Sequence, residues 1–600
     1  MTKAADKTMA PAVTRDVTLR IGGESGEGIV TTGEVLARIA AYAGLEVYTL
    51  RTIPAEIKGG HVMFQMRVGS EPVHSEGDAL DILLAFNQEA YDKHHRELRA
   101  GGILIYDNNE LTPPAIAGEI QYALPLTSLA KGIDFFRGKN IVAIGALVKI
   151  FGLPYDKAKA VVERQLGRRG ADLLAKNLQA LEVGYTYAEQ NITKEAPYNL
   201  GVPEGERGAD HRLVMSGNQA LAIGALAAGC TFYAGYPITP ASDIMEFLAA
   251  ELPKVGGTLI QAEDEMAALG MAMGASYAGA RAMTATSGPG LDLMIELLGH
   301  ASMTETPVVI VDVQRAGPST GMPTKTSQGD LFLAVYGGHD DFPRLVVAPL
   351  SVEDCFYAAV DAFNLAEKYQ MPVIILSDFA LSNRVETIPS FDMSRVQRVQ
   401  RLLWTASGDG DNSYRRYRVT ESGISPMSLP GMVGGSYTAE GLEHDETGAP
   451  GYDPELHTTM MEKRFRKVRT AADEIRTWPH AIWRYGHPEP EVGIVGWGST
   501  AGPAREAIDR ALADGMKVAA FFPRFLSPLP EAELSAFVAP LKAVIVPELN
   551  YRGQLADIIQ GRFCMQIHRL NKFTGQAFTA GEIYRKIAAV YSEWVVPTSA

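Results

Sequence analysis

The chain is expected to be a multidomain α/β protein built on doubly wound parallel sheets. Three observations lead there. At 600 residues it is long enough for about four domains of roughly 150 residues, and 46% of it is apolar, an ordinary globular share. Short apolar and β-branched runs alternate with helix-length segments along most of it, as in parallel sheets joined by crossover helices. No fixed-period repeat of the solenoid kind replaces that rhythm.

The elements follow in order. The first 15 residues read as a flexible N-terminus, and 16–190 as an α/β domain. Within it VTLRI at 17–21 is expected to be a strand, GGESGEG a loop, and Ile29 to Ala43 a helix, with ILLAF at 82–86 and GGILIYD at 101–107 as further strands. The polar, Pro- and Gly-containing stretch NITKEAPYNLGVPEGERGAD reads as a linker over 191–210. From 211 to 388 six strand-like runs, GCTFYAGYPITP, TLIQAEDE, RAMTATSGPG, PVVIVDVQR, LVVAP and MPVIILSD, fit one doubly wound domain. The rhythm is lost over 389–487, a Gly/Pro-rich tract followed by the charged helical piece MMEKRFRKVRTAADEIRTW, expected to be a crossover or a partner-facing insertion. A last α/β domain, 488–600, opens on EVGIVGWGST and continues through MKVAAFFP and LKAVIVPE.

Composition excludes several function classes. With 55 basic against 70 acidic residues the net charge is −15, so no uniformly basic surface exists to displace counterions from a phosphate backbone, and nucleic acid is not an expected partner. The three cysteines, Cys230, Cys355 and Cys564, lie more than a hundred residues apart. A cysteine-ligated iron-sulfur cluster or zinc site needs about four ligands with closely spaced pairs, so this chain alone supplies neither, and its histidines lack metal-ligand spacing; no metal site is expected. No segment of about 18 apolar residues could span a bilayer, and the N-terminus has no apolar signal core. A cytoplasmic protein without membrane contact is expected.

The most informative window is EMAALGMAMGASYAGARAMTATSGPGLDLM, residues 265–294. A carboxylate opens a small-residue helix, a strand follows, and a Gly-Pro-Gly turn opens a second helix. Gly270, Gly274 and Ala278 recur every fourth residue. A helical glycine costs about 1 kcal/mol against alanine, so something is expected to approach that helix closely. Read alone, Glu265 is equally a solvated first-turn residue favoured by the helix dipole. The whole arrangement, however, resembles the pyrimidine-binding domain of thiamine diphosphate enzymes, in which a glutamate begins such a helix and a T-x-G-P-G-like turn follows.

That resemblance implies a role for Glu265. A carboxylic acid bonded to N1′ of the cofactor favours the imino tautomer that removes the thiazolium C2 proton, and the acid is expected to be buried, where its neutral form is favoured. Glu263 and Asp264 compete for the role but fall outside the E-x-x-A spacing. The family holds the diphosphate through a metal with G-D-G and a later asparagine. Gly408-Asp409-Gly410 is followed at once by Asp411 and Asn412, no strand precedes it, and 430–445 contains no asparagine, so it reads as a loop. Half of the site is therefore expected from another chain.

A pyrimidine half without the diphosphate half or cluster cysteines resembles the large (alpha) subunit of 2-oxoacid:ferredoxin oxidoreductases. GYPITPAS at 235–242 is similar to the family's substrate-site turn, and VDVQRAGPSTGMPTKTSQGDL at 311–331 with YGGHDDFPR at 336–344 to the 2-oxoglutarate type. The first domain resembles the family's gamma domain, fused ahead of the alpha part, and 488–600 its transketolase C-terminal-like domain. PELNYRGQLADII at 547–559 resembles a family segment around a glutamate and an asparagine, without an assigned role. The region 389–487 resembles nothing recognised.

The resemblance implies thiamine diphosphate lined by Tyr236, Pro237, Ile238, Glu265, Ser287, Gly288, Pro289 and Gly290, with Thr239 and Arg315 holding the 2-oxoacid carboxylate beside Glu265. An arginine's planar fork suits a carboxylate. Lys325 is a further candidate for a second carboxylate, against the plainer reading of a solvated loop lysine. Gly22, Gly23, Ser25, Gly26 and Gly28 could cradle a phosphate of coenzyme A, although the loop lacks a P-loop lysine and tight-turn packing explains it equally well. Implied partners are a beta subunit carrying Mg2+ and a 4Fe-4S cluster, ferredoxin, and a second copy of the pair in a dimer of heterodimers. The expected reaction is CoA-dependent oxidation of 2-oxoglutarate, in either direction. Pyruvate or another 2-oxoacid, or a non-catalytic CoA- or nucleotide-binding subunit, are the alternatives.

Overall fold

The computed structural model describes residues 16–52, 59–167, 170–201, 212–405 and 414–595. The N-terminal 15 residues, the later part of the 191–210 linker and Gly408-Asp409-Gly410 lie outside the described residues. The chain forms two compact units, one of residues up to Met215 with Arg384–Ser390, the other of Ser216–Asn383 with Phe391 onward.

The first unit is built on an eight-stranded sheet in the order Ile120–Leu124, Leu98–Asp107, Leu80–Ala85, Asp16–Glu24, His61–Gly69, Glu46–Thr52, Val385–Pro389, Arg212–Ser216. The expectation of a parallel sheet needs correction here. Asp16–Glu24 and the three strands listed before it run parallel, but His61–Gly69 is antiparallel to both of its neighbours. HVMFQMRVG and EVYTLRT alternate like ordinary strands, and pairing direction leaves no local mark on such a sequence. The first strand also runs past Ile21, pairing Gly22 with Met63 and Gly23 with Val62, so the glycine loop begins only after Glu24.

Two boundaries differ from those expected. Val385–Pro389 pairs Glu386 with Tyr48 in the first unit rather than closing the 211–388 domain. The described start of the linker is pinned to the first core: Ala196, Tyr198 and Leu200 are buried, and the Ala196 N–H donates to the Tyr122 hydroxyl at 2.8 Å. Those side chains alternate along an extended segment, a period too short to stand out among its polar residues.

The second unit holds two sheets. The larger has the order Phe525–Ser527, Leu345–Val347, Pro372–Asp378, Val308–Gln314, Ala282–Thr286, Phe232–Gly235, Thr258–Gln261, parallel except at the first edge. Its last six strands are the six expected runs. Val308–Gln314 is buried along its whole length, as a central parallel strand covered on both faces must be. The smaller sheet, Ile482–Gly486, Val518–Pro523, Val492–Val495, Ala543–Glu548, His568–Asn571, is parallel except for its first strand. That strand lies ahead of 488, inside the segment expected to be an insertion.

The rest of 389–487 is irregular up to the helix Pro454–Ile475, and it is not a solvated or partner-facing appendage. Lys463 and Lys467 of that helix are fully buried on the Glu305 carboxylate at 2.5 and 3.0 Å, and Arg416 donates to the Glu305 carbonyl at 2.7 Å. Burial alone would raise the Glu305 pKa, but the three cations hold it far below the usual range, whereas burial pushes Lys467 down to about 7. A charged helical run reads as solvated when its counter-charge lies more than a hundred residues away.

Candidate active site at the carboxyl ends of the larger sheet

Helix Glu265–Tyr277 starts where Asp264 caps it, its side chain accepting the Ala267 N–H at 2.7 Å. That capping bond commits Asp264, and Glu263 points to solvent. Glu265, the first helical residue, is buried. Its side chain lies on the first turn of helix Gly288–Met303: a Cβ built on Gly290 would come within 2.8 Å of Glu265 Oε1 and 2.0 Å of Thr286 Oγ1. Only glycine fits between them. Ser287 is the N-cap of that helix, fully buried, and its hydroxyl has no partner among the described residues. Strand Ala282–Thr286 and the Gly-Pro-Gly turn thus bring Glu265, Ser287, Gly288, Pro289 and Gly290 to one place.

The YPITP turn follows strand Phe232–Gly235 and is open, with Tyr236, Pro237 and Thr239 exposed. Arg315, one residue past strand Val308–Gln314, donates from Nη1 to the Thr239 carbonyl at 2.8 Å, which joins the two predicted carboxylate-binding residues. Its Nε is buried without a partner, and burial lowers its pKa. The segment after it doubles back. Ala316 N–H donates to the Lys325 carbonyl at 3.0 Å, so Lys325 stands beside the residue that follows Arg315, half-buried, its pKa lowered by burial.

Several residues of the site carried no sequence signal. Asp312, on the same strand as the approach to Arg315, is fully buried, and Asp330 lies against Gly288, where a Cβ would come within 2.6 Å of Asp330 Oδ2. Burial raises both pKa values, and the Asp330 charge raises that of Asp312 further. Gln328 anchors the same loop to the smaller sheet: Nε2 donates to the Trp497 carbonyl at 2.9 Å, Oε1 accepts the Leu549 N–H at 3.0 Å, and Asn550 donates to the Gln328 carbonyl at 2.8 Å. Beside it Glu548, fully buried, accepts the Leu555 and Ala556 N–H groups at the start of helix Gln554–Phe563. The PELN segment therefore has a structural task. The Gln328 contacts with Leu549 and Asn550 become visible only once the fold brings residues more than two hundred positions apart together, whereas Glu548 caps N–H groups seven and eight residues on.

The close approach expected on helix Glu265–Tyr277 is not made within the chain. Nothing lies within 4 Å of a Cβ built on Gly270 or Gly274, and Met266 and Met271 on the same helix are exposed. In the first unit, Gly22 is needed because Ala90 and His94 crowd it, and Gly28, at φ +77°, is the N-cap of helix Ile29–Tyr42. Ser25 N–H donates to the Gly60 carbonyl, and Gly26 has a positive φ. The loop already holds an anion of its own, since the Glu27 carboxylate accepts the Glu24 N–H at 2.7 Å and pairs with Lys139 at 3.1 Å. Among the described residues no group of three or more His, Cys, Asp or Glu is placed to hold a metal, and no helix is long and apolar enough to cross a membrane.

The chain matches three family models: pyruvate flavodoxin/ferredoxin oxidoreductase, thiamine diphosphate-binding, over 223–463; pyruvate ferredoxin/flavodoxin oxidoreductase over 18–187; and pyruvate:ferredoxin oxidoreductase core domain II over 490–583. The first of these takes in much of 389–487. Among curated relatives, the 2-oxoglutarate oxidoreductase subunit KorA of Mycobacterium tuberculosis is 33% identical over 96% of this chain and 91% of its own length. The 2-oxoacid:ferredoxin oxidoreductase subunit alpha of a Sulfolobus species is 32% identical over 96% of both chains. A solved 2-oxoglutarate:ferredoxin oxidoreductase from Magnetococcus marinus, with 2-oxoglutarate, coenzyme A and succinyl-CoA bound, superposes with a TM-score of 0.90 at 43% identity, covering 96% of this chain and 99% of that one. With its thiamine diphosphate-binding domain built around a buried Glu265, the chain belongs to the alpha subunits of the 2-oxoacid:ferredoxin oxidoreductases.

Proposed function

We propose that the chain is the alpha subunit of a 2-oxoglutarate:ferredoxin oxidoreductase, converting 2-oxoglutarate and coenzyme A to succinyl-CoA and CO2 with electrons passing to ferredoxin, or the reverse. The observation that carries this reading is the burial of Glu265 against Gly290, beside a turn that ends in an unpartnered buried Ser287. An acid in such a place fits the aminopyrimidine of thiamine diphosphate, whose own chemistry carries the reaction. When bound, the cofactor supplies the electron sink for decarboxylation. Glu265 holds a proton at its N1′ position, and the Ser287–Gly290 turn lets the ring approach the backbone.

Arg315, steadied on the Thr239 carbonyl, binds the carboxylate next to the oxo group. Lys325, brought back beside Ala316, is suited to the second carboxylate that distinguishes 2-oxoglutarate from pyruvate. The diphosphate, its Mg2+ and the 4Fe-4S cluster are assigned to a beta subunit. The bare face of Gly270 and Gly274, flanked by Met266 and Met271, supports a neighbouring chain at this edge, in a dimer of heterodimers. The glycine loop of the first unit is the candidate for the coenzyme A phosphates, which would compete there with Glu27, and turn packing alone is the alternative reading.

Glu265→Ala in the assembled enzyme tests the reading. It is expected to abolish 2-oxoglutarate-dependent dye reduction while coenzyme A binding persists. Unaltered turnover would reject it and favour a non-catalytic binding subunit.

A further inference from the structure

Behind the turn that carries Ser287 and Gly288 lies a pair of carboxyls to which the reaction above gives no task. Asp312 is fully buried on strand Val308–Gln314, with no donor in the chain for either carboxylate oxygen. Asp330 opens helix Leu331–Tyr336, fixed by its own N–H, which donates to Gln314 Oε1 at 3.0 Å; its Oδ2 also lacks a donor. What each carboxyl faces is the other, within hydrogen-bonding reach. Two carboxyls in contact form a hydrogen bond only when one of them carries a proton, and since no donor among the described residues reaches either Asp312 oxygen or Asp330 Oδ2, that proton is the pair's own.

The charged groups facing the pair are few. Arg315 acts on Asp330 from the end of the neighbouring strand, Asp292 acts on it from helix Gly288–Met303, and Glu265 acts on Arg315 in turn. No cation is in hydrogen-bond contact with either carboxyl, so the ionisation of Asp330 is felt mainly at Arg315. We propose that Asp330, sharing a proton with Asp312, is a positioning residue that sets the negative charge a 2-oxoacid carboxylate meets at Arg315. This rests on the assignment of Arg315 to that carboxylate.

The sign follows from the titration. Below the range in which the pair loses the first of its two protons, Asp330 is neutral and Arg315 offers its full charge to the substrate, while above it Asp312 keeps the one proton the pair shares. Above it, the Asp330 carboxylate partly cancels that charge and repels the incoming anion, so the KM for the 2-oxoacid rises with pH. Burial pushes the Asp330 carboxyl up to about 6, which places the change within reach of ordinary assays.

The test is the pH profile of KM and kcat for 2-oxoglutarate, measured on the assembled enzyme between roughly pH 5.5 and 7.5, a range around this titration. For the native protein KM is expected to rise about five- to tenfold, the size of effect of one partly screened charge, with kcat changed less. Asp330→Asn keeps the shape and removes the charge, so its KM should stay low and flat. Asp312→Leu removes the carboxyl whose proton hydrogen-bonds and so favours the Asp330 carboxylate, and should move the rise to higher pH. A native KM that does not vary over this range, or an Asp330→Asn profile identical to the native one, overturns the proposal. Failure of the underlying assignment looks different: Arg315→Gln would then leave KM unchanged at every pH.

Discussion

A single methyl group at Gly290 is enough to disturb the site. Its Cβ would sit 2.0 Å from the Thr286 hydroxyl and 2.6 Å from Glu265 Cγ, both on elements that cannot retreat without moving a strand or a helix start. Gly290→Ala is therefore expected to cost about 1–3 kcal/mol of stability, the usual penalty for overpacking, measurable as a lower Tm. Activity should fall much further than stability, because Glu265 is the group displaced; a variant with a normal Tm and full turnover would contradict this geometry. Glu265, Arg315 and Thr239 were legible in the sequence because each sits in a contiguous motif. Asp312 and Asp330 were not, although both lie in stretches that carry such motifs. An aspartate inside a strand and another preceding a short helix carry no local sign of a buried pair until the fold faces them toward each other.

At the scale of elements, the six parallel strands of the larger sheet and their helices were readable from β-branched runs separated by helix-length segments. The mixed sheet of the first unit was not, since Val385–Pro389 finds its partner strand more than three hundred residues upstream. The loop Thr326–Asp330 shows how such distant contacts serve the site. It is held by Gln328, whose amide satisfies a carbonyl and an N–H of the smaller sheet domain in the same unit. Gln328→Leu leaves the Leu549 N–H buried without its partner, at a cost of about 1–3 kcal/mol, while the Trp497 carbonyl keeps the bond from the Thr500 hydroxyl. A lower Tm is expected together with a raised KM for the 2-oxoacid, since Asp330 lies two residues on and Arg315 answers to it. A lowered Tm with unchanged KM would mean that the clasp serves stability alone.

For the whole molecule, the proposed reading turns on half of a thiamine site, with no group placed to hold a metal among the described residues. The three cysteines illustrate it: Cys230 and Cys355 are buried apart in the core and Cys564 is exposed, so none joins another as a ligand. The charged helix Pro454–Ile475, part of the segment expected to be a crossover or a partner-facing insertion, instead turns Lys463 and Lys467 onto the buried Glu305, so those two cations are not available to steer a partner. On the proposed reading, the partner subunit is expected at the edge marked by Gly270, Gly274 and the exposed Met266 and Met271. The most direct measurement is anaerobic purification of the chain with whatever accompanies it, followed by reduction of a viologen dye with 2-oxoglutarate or pyruvate, with and without coenzyme A. A smaller brown iron-sulfur subunit should co-purify, and dye reduction should require coenzyme A and run faster with 2-oxoglutarate than with pyruvate. A colourless chain that purifies alone and is silent with every 2-oxoacid would contradict the half-site and the function built on it.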